Sequence, residues 1–153
     1  MNIFYLDNDP VKAAELHYNK HVVKMVLEAA QLLCTAHHVA GDGNVPYKKT
    51  HVNHPSAVWT RSSVANYRWV YNYMLALGSE YTRRYGKNHL TIQKCKSILA
   101  NAPCNVKDTE FYEPPQCMPD EYKANNAIEG YLNYYIYGKA HLADKVLQSG
   151  HDN

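Results

Sequence analysis

The stretch HYNKHVVKMVLEAAQLLCTAHH, residues 17–38, holds a regular stripe of polar side chains inside an otherwise apolar run. Positions 17, 21, 24, 28, 31, 35 and 38 are His, His, Lys, Glu, Gln, Thr and His, at alternating steps of four and three. That spacing puts all seven on one line along a helix, because residues three and four apart share a face. The positions between them are nearly all apolar: Val22, Val23, Met25, Val26, Leu27, Ala29, Ala30, Leu32, Leu33, Cys34 and Ala36. The pattern predicts a long helix with a wide apolar arc and a narrow polar seam. Solvated helix faces are usually richer in Lys and Glu than this one. Two readings follow. Either the seam faces water, with Lys24 and Glu28 as an i,i+4 ion pair, or it lines a cleft. In the cleft Glu28 is partly desolvated, or is held ionised by Lys24 and His21.

Upstream, the apolar run NIFYL (residues 2–6) reads as a short strand or an extended arm, and DNDP marks a helix start. Asp9 is the cap and Pro10 suits the first helical position, giving a short helix to about residue 18. Downstream, AGDGNVP breaks the long helix, and YKKTHVNHP leads to another start at Pro55. A helical pattern then runs to Gly86, a C-terminal cap, with Ser62 and Ser63 dividing it into a short and a long piece. Val64, Tyr67, Tyr71, Met74, Leu75 and Tyr81 recur there at helical spacing. Asn88 caps a further helix to about Leu99. Residues 102–119 contain four prolines and form a long loop. A last helix starts near Pro119 and Asp120, and the tail from about residue 147 frays. The expectation is an all-α fold: one compact domain of about five helices, with a short extended N-terminal arm and a long Pro-rich loop.

At 153 residues the chain fits one domain, and 46% hydrophobic with 20% charged residues argues against disorder. The net charge of +2 is well short of the footprint of a dedicated duplex binder, without excluding nucleic acid. Fourteen Tyr stand against two Phe and two Trp, which suits half-buried sites, wet clefts and stacking surfaces. The four cysteines show no CxxC spacing, no apolar stretch reaches the length of a membrane span, and MNIFYLDNDP has no secretory pattern. A cytoplasmic protein with reduced thiols is the simplest account.

Other polar residues converge on the seam. His51 and His54 lie on a loop; Arg61, Asn66, Glu80 and Arg84 follow, with Lys87 and His89 past the helix end. Three chemistries compete. A metal would use His17 and His21, with Glu28 or His54 completing the set, but no HExxH or acidic cluster supports it. A Cys34 nucleophile needs a base, and His37 and His38 point to other sides of the helix. A carboxylate among cations uses most of the seam: Glu28 stabilises an oxocarbenium or moves a proton while Lys and Arg hold phosphates. No cofactor is expected.

The strings DNDPVKAAELHYNKHVVKMVLEAAQLL, YKKTHVNHPSAVW, NYRWVYNYMLAL, EYTRRYGKNH and PPQCMPDEYK resemble a small family of proteins common in tailed-phage genomes. That resemblance covers nearly the whole chain and carries no activity of its own. More distantly, the layout is similar to the pyrimidine-dimer DNA glycosylase (endonuclease V) family: compact helical proteins with a catalytic glutamate on an early helix beside a basic residue. His54-Pro55 and the turn Arg84-Tyr85-Gly86 resemble segments of its bacterial members. The resemblance implies Glu28 as catalytic carboxylate and Lys24 as its cationic partner. The chain departs from that family at its start. The glycosylase forms a Schiff base through an α-amine exposed by Met removal, whereas Met1-Asn2 disfavours removal. Lys20 or Lys24 would then supply the amine, or Glu28 would activate water.

The combined expectation is a phage-type enzyme acting on DNA or a nucleotide, in the cytoplasm of an infected host cell. Glu28, Lys24, His21 and His54 carry the chemistry. Arg61, Asn66, Glu80, Arg84, His51 and Gln31 bind substrate, and Trp69 or Trp59 stacks on an extruded base. The alternative is a non-enzymatic protein that binds a nucleotide signal or a host protein to blunt defence.

Overall fold

The computed structural model describes residues 2–143, and within them the chain is helical with no strand. Met1 and the tail expected to fray from about residue 147 lie outside the described residues. Helix α1 (Pro10–Glu15) starts at DNDP, where the Asp9 carboxylate accepts the Val11 N–H at 2.9 Å and Pro10 takes a position with no donor to lose. Most of the 17–38 stretch forms α2 (Asn19–Val39), with Tyr18 as its N-cap and His17, expected on the same helix line, in the turn before it. Helices α3 (Pro55–Thr60) and α4 (Val64–Tyr85) divide at Ser62 and Ser63, and the Ser63 hydroxyl caps α4 by accepting the Asn66 N–H. Gly86 closes α4 with φ of 73°, a left-handed cap that glycine adopts without steric cost.

Two boundaries differ from expectation. The helix read from Asn88 to Leu99 is the shorter α5 (Leu90–Cys95), and its cap is His89, whose ring Nδ1 accepts the Thr91 N–H. The last helix begins later than Pro119. Residues Asp120–Tyr122 make a single 3-10 turn, and α6 (Ala127–Asn133) starts after Asn126, whose side chain accepts the Glu129 N–H. A proline fits the first position of any helical turn, so the cap decides where the long helix begins. A π-helical turn, Tyr134–Gly138, follows α6.

Helices α2 and α4 form the principal pair; α1 packs on α4, and α3 and α5 on α2. Between them runs the arm. Residues 2–6 are extended but form no ladder, and Ile3, Phe4, Tyr5 and Leu6 are all buried. With Met25, Leu32, Leu33, Met74 and Leu77 they make the core, each such side chain contributing about 1.5–3 kcal/mol. A side chain at Gly78 would bring its Cβ within 2.5 Å of Ile92, so α5 can lie against α4 only because that position is bare.

The Pro-rich loop is a strap. Trp59 donates its indole N–H to Tyr112 O, Tyr112 donates its amide to Asn66, Asn2 donates to Cys117 O, and Tyr131 donates to Pro115 O. Among the described residues no helix is long and apolar enough to cross a membrane.

Candidate functional site

The polar seam of α2 serves three separate purposes along its length. At its beginning, His17 and His21 are buried under tyrosines. Tyr73 accepts the Phe4 amide and therefore turns its own O–H toward His17 Nε2 at 2.7 Å, while His17 Nδ1 donates to Ala13 O at 2.6 Å. Tyr135 accepts the Tyr18 amide and turns its O–H toward His21 Nδ1 at 2.6 Å. The His21 ring also stacks on Phe4 at 4.4 Å. Both imidazoles are locked in a neutral tautomer. Burial pushes the His17 pKa down to about 3 and that of His21 to about 4. His17 has both nitrogens engaged and His21 has one, so the alternative metal pair is not available for an ion to share. Among the described residues no group of three ligand side chains is placed to hold one.

At the other end, Thr35 and His38 hold the loop between α2 and α3. The Thr35 hydroxyl donates to Thr50 O at 3.1 Å and accepts the Thr50 amide at 3.3 Å, and His38 Nε2 donates to Tyr47 O. From the far side Arg61 Nη1 donates to Val52 O at 2.8 Å. Held from both sides, His51 adopts φ of 48°, the only non-glycine residue with positive φ among those described. A strained backbone next to a cleft is a feature that surrounding structure must enforce. His54 caps α3 by accepting the Ser56 amide on Nδ1, which leaves the proton on Nε2. Its pKa is lowered, chiefly by burial and also by His51, while Glu28 works in the opposite direction.

The middle of the seam lines a groove of about 550 Å³ bounded by Val23, Lys24, Leu27, Glu28, Gln31, His51, His89 and Thr91. Lys24 lies 3.6 Å from Glu28, with 71% of the lysine side chain exposed against 15% of the glutamate. The lysine side chain is therefore mostly in water and the glutamate side chain mostly is not. Such a pair adds little to stability, about 0.3–0.5 kcal/mol. Its interest is chemical: a largely covered carboxylate sits in an apolar trough with an amide and an imidazole at hand. His89 Nε2 donates to Val23 O at 3.0 Å and so closes the groove by tying the start of α5 to α2.

Four expected residues, Lys24, Glu28, Gln31 and His51, meet in this groove, and His54 feels the charge of Glu28 and His51. The others are elsewhere. Trp69 and Trp59 are core residues whose indole N–H groups are given to Asn8 O and Tyr112 O, so neither is open to a base. Asn66 is fully buried and donates to Trp59 O. Glu80 is gripped by Arg83 and Arg84, whose guanidinium groups hold its carboxyl below the usual range. Arg84 also donates to the carbonyls of His17 and Glu15 and to Asn19, clamping α4 to the α1–α2 junction. Arg61 opens into a different pocket. Cys34 is set against Cys95 and not against a histidine.

Val23, Leu27 and Thr91 complete the groove and were not among the expected site residues, whereas His89, expected to converge on the seam, does line it. For the first two a signal existed, since positions 23, 27 and 31 also stand four apart. For Thr91 none did, because only the fold brings α5 against α2. A scan of protein-family models, a search of curated proteins and a search of solved structures each found no match.

Proposed function

We propose that the protein is a small enzyme acting on DNA or a nucleotide, with the groove around Glu28 as its active site and N-glycosidic cleavage as its reaction. The reading rests above all on the covered carboxylate of Glu28 beside Lys24, His51 and Gln31 in a trough with apolar walls. The walls of Val23 and Leu27 would hold the faces of a single base, a role the buried tryptophans cannot take. Gln31 offers both donor and acceptor to a base edge. As the C1′–N bond breaks, its electron pair leaves with the base, and a proton from His51 neutralises it. The Glu28 carboxylate stabilises the positive charge left at C1′ and takes a proton from the water that forms the new C1′–O bond. Lys24, extended into water, meets a neighbouring phosphate.

Release of free base from damaged and undamaged DNA and from nucleotides, followed by chromatography, tests this reading. Glu28→Gln should lower turnover at least about 100-fold with substrate affinity largely retained. Full activity in that variant would overturn the assignment. Borohydride trapping in the same reactions separates an amine nucleophile, which leaves a covalent adduct, from water activation. The mostly apolar walls also suit a pure binding protein. That second reading is favoured if a ligand binds the wild type and Glu28→Gln alike and no base is released by either.

A further inference from the structure

A second pocket, of about 420 Å³, is bounded by Ala36, Val39, Ala40, Val58, Arg61, Ser62, Asn105, Val106 and Lys107. Its charged residues are two cations, and among the described residues no carboxylate lines it. Arg61 is half-buried and spends one N–H on Val52 O; no ion pair engages it among the described residues. A guanidinium carries five donors in a planar fork, so Arg61, which lines the pocket, has donors beyond the one given to Val52 O. Lys107 is not a loosely attached surface lysine. Its carbonyl accepts the first amide of α4, Val64 N–H, at 2.8 Å, which fixes its backbone at the rim.

Objections to an anion here can be met from the same geometry. The ends of α2 and α3 point carbonyls this way, which would repel negative charge. Three carbonyls here are engaged: Ala36 O accepts Ala40 N–H, Ala57 O accepts Arg61 N–H, and Val58 O accepts the Ser62 hydroxyl at 2.6 Å. The Ser62 proton is thereby spent, and the amide of Asn105, the guanidinium and the ammonium remain to donate. Burial lowers the pKa of Arg61, and no acidic group compensates.

We propose that this pocket binds a phosphomonoester, its oxygens meeting the Arg61 guanidinium and the Lys107 ammonium and its organic body lying on Val39, Val58 and Val106. A phosphomonoester near −2 matches two unopposed cations, and an arginine fork matches two phosphate oxygens. A bare phosphate would leave the apolar side of the pocket unfilled.

Calorimetric titration with phenyl phosphate, inorganic phosphate and benzoate, at matched ionic strength in chloride, tests the assignment. Phenyl phosphate should bind saturably and several-fold tighter than either of the others. Lys107→Gln, at an exposed position, should weaken it by roughly tenfold, the loss of one charge-assisted contact. Glu28→Gln should leave it unchanged, which separates this pocket from the groove whatever the enzymatic outcome. Arg61→Lys, which keeps the charge but not the fork, should weaken binding as well. The proposal is overturned if phenyl phosphate shows no saturation, if benzoate binds as well, or if Lys107→Gln binds like the wild type.

Discussion

Acid should unfold this protein through two histidines before any carboxylate titrates. His17 and His21 are buried 3% and 7% exposed, each receiving a tyrosine O–H on the nitrogen that would have to be protonated. Their pKa values fall from 6.5 to about 3 and about 4, chiefly by burial, with the charges of Arg84 on His17 and of Lys139 and Lys24 on His21 adding to it. The sign follows from these lowered values. Above 6.5 both states are neutral and stability is full. As pH falls below 6.5 the unfolded chain takes up protons that the folded chain refuses, so stability declines until the folded pKa is reached. Each group loses about 1.4 kcal/mol per pH unit in that window, so from pH 7.5 to 5.0 the pair removes about 4 kcal/mol. That is a large share of the 5–15 kcal/mol typical of a domain. Glu80, whose pKa lies below 4.5, contributes only in more acid solution.

Guanidinium unfolding followed by the fluorescence of the buried Trp59 and Trp69 gives the measurement at pH 7.5, 6.5, 5.5 and 5.0. Between pH 6 and 5 His17 and His21 together should give a slope of about 2.4 kcal/mol per unit, to which the lowered pKa values of His37 and His54 add, and His21→Gln should reduce the total by about 1.2 even if that variant is less stable overall. A stability that is flat from pH 7.5 to 5.0, or an unchanged slope in His21→Gln, would refute the reasoning.

Two further predictions concern the loop beside the groove. At position 51, with φ of 48°, glycine should be more stable than alanine by about 1 kcal/mol, because only the alanine keeps the left-handed strain; equal unfolding midpoints for His51→Gly and His51→Ala would deny that strain. Thr35→Val keeps the shape of a fully buried residue but removes both bonds to Thr50, and should cost about 1–3 kcal/mol by thermal or chemical unfolding. A neutral Thr35→Val would mean that the loop is held without it.

Much of the fold is legible in the chain because its punctuation is local. Asp9 with Pro10, His54 with Pro55, Ser63 and Gly86 each place a helix end by the chemistry of one or two residues. The site is legible only in part. The spacing of the seam shows that seven polar residues share a line, but what covers each depends on residues far along the chain. Tyr73 covers His17, Tyr135 covers His21 and Thr50 covers Thr35, leaving Lys24, Glu28 and Gln31 for the groove. Trp69 and Arg84 carry side chains that suit ligand binding and are instead committed to Asn8 O and to the α1–α2 junction. Residue type alone does not separate those uses.

The buried arm has a consequence for synthesis. Phe4 is enclosed in part by Tyr135, and Asn2 donates a hydrogen bond to Cys117 O, 115 positions away. The arm therefore cannot find its permanent surroundings until Cys117 and Tyr135 have also left the ribosome. Until then four adjacent apolar residues, Ile3 to Leu6, have no finished core to enter. Such long-range closure slows folding and exposes the nascent chain to association with its neighbours.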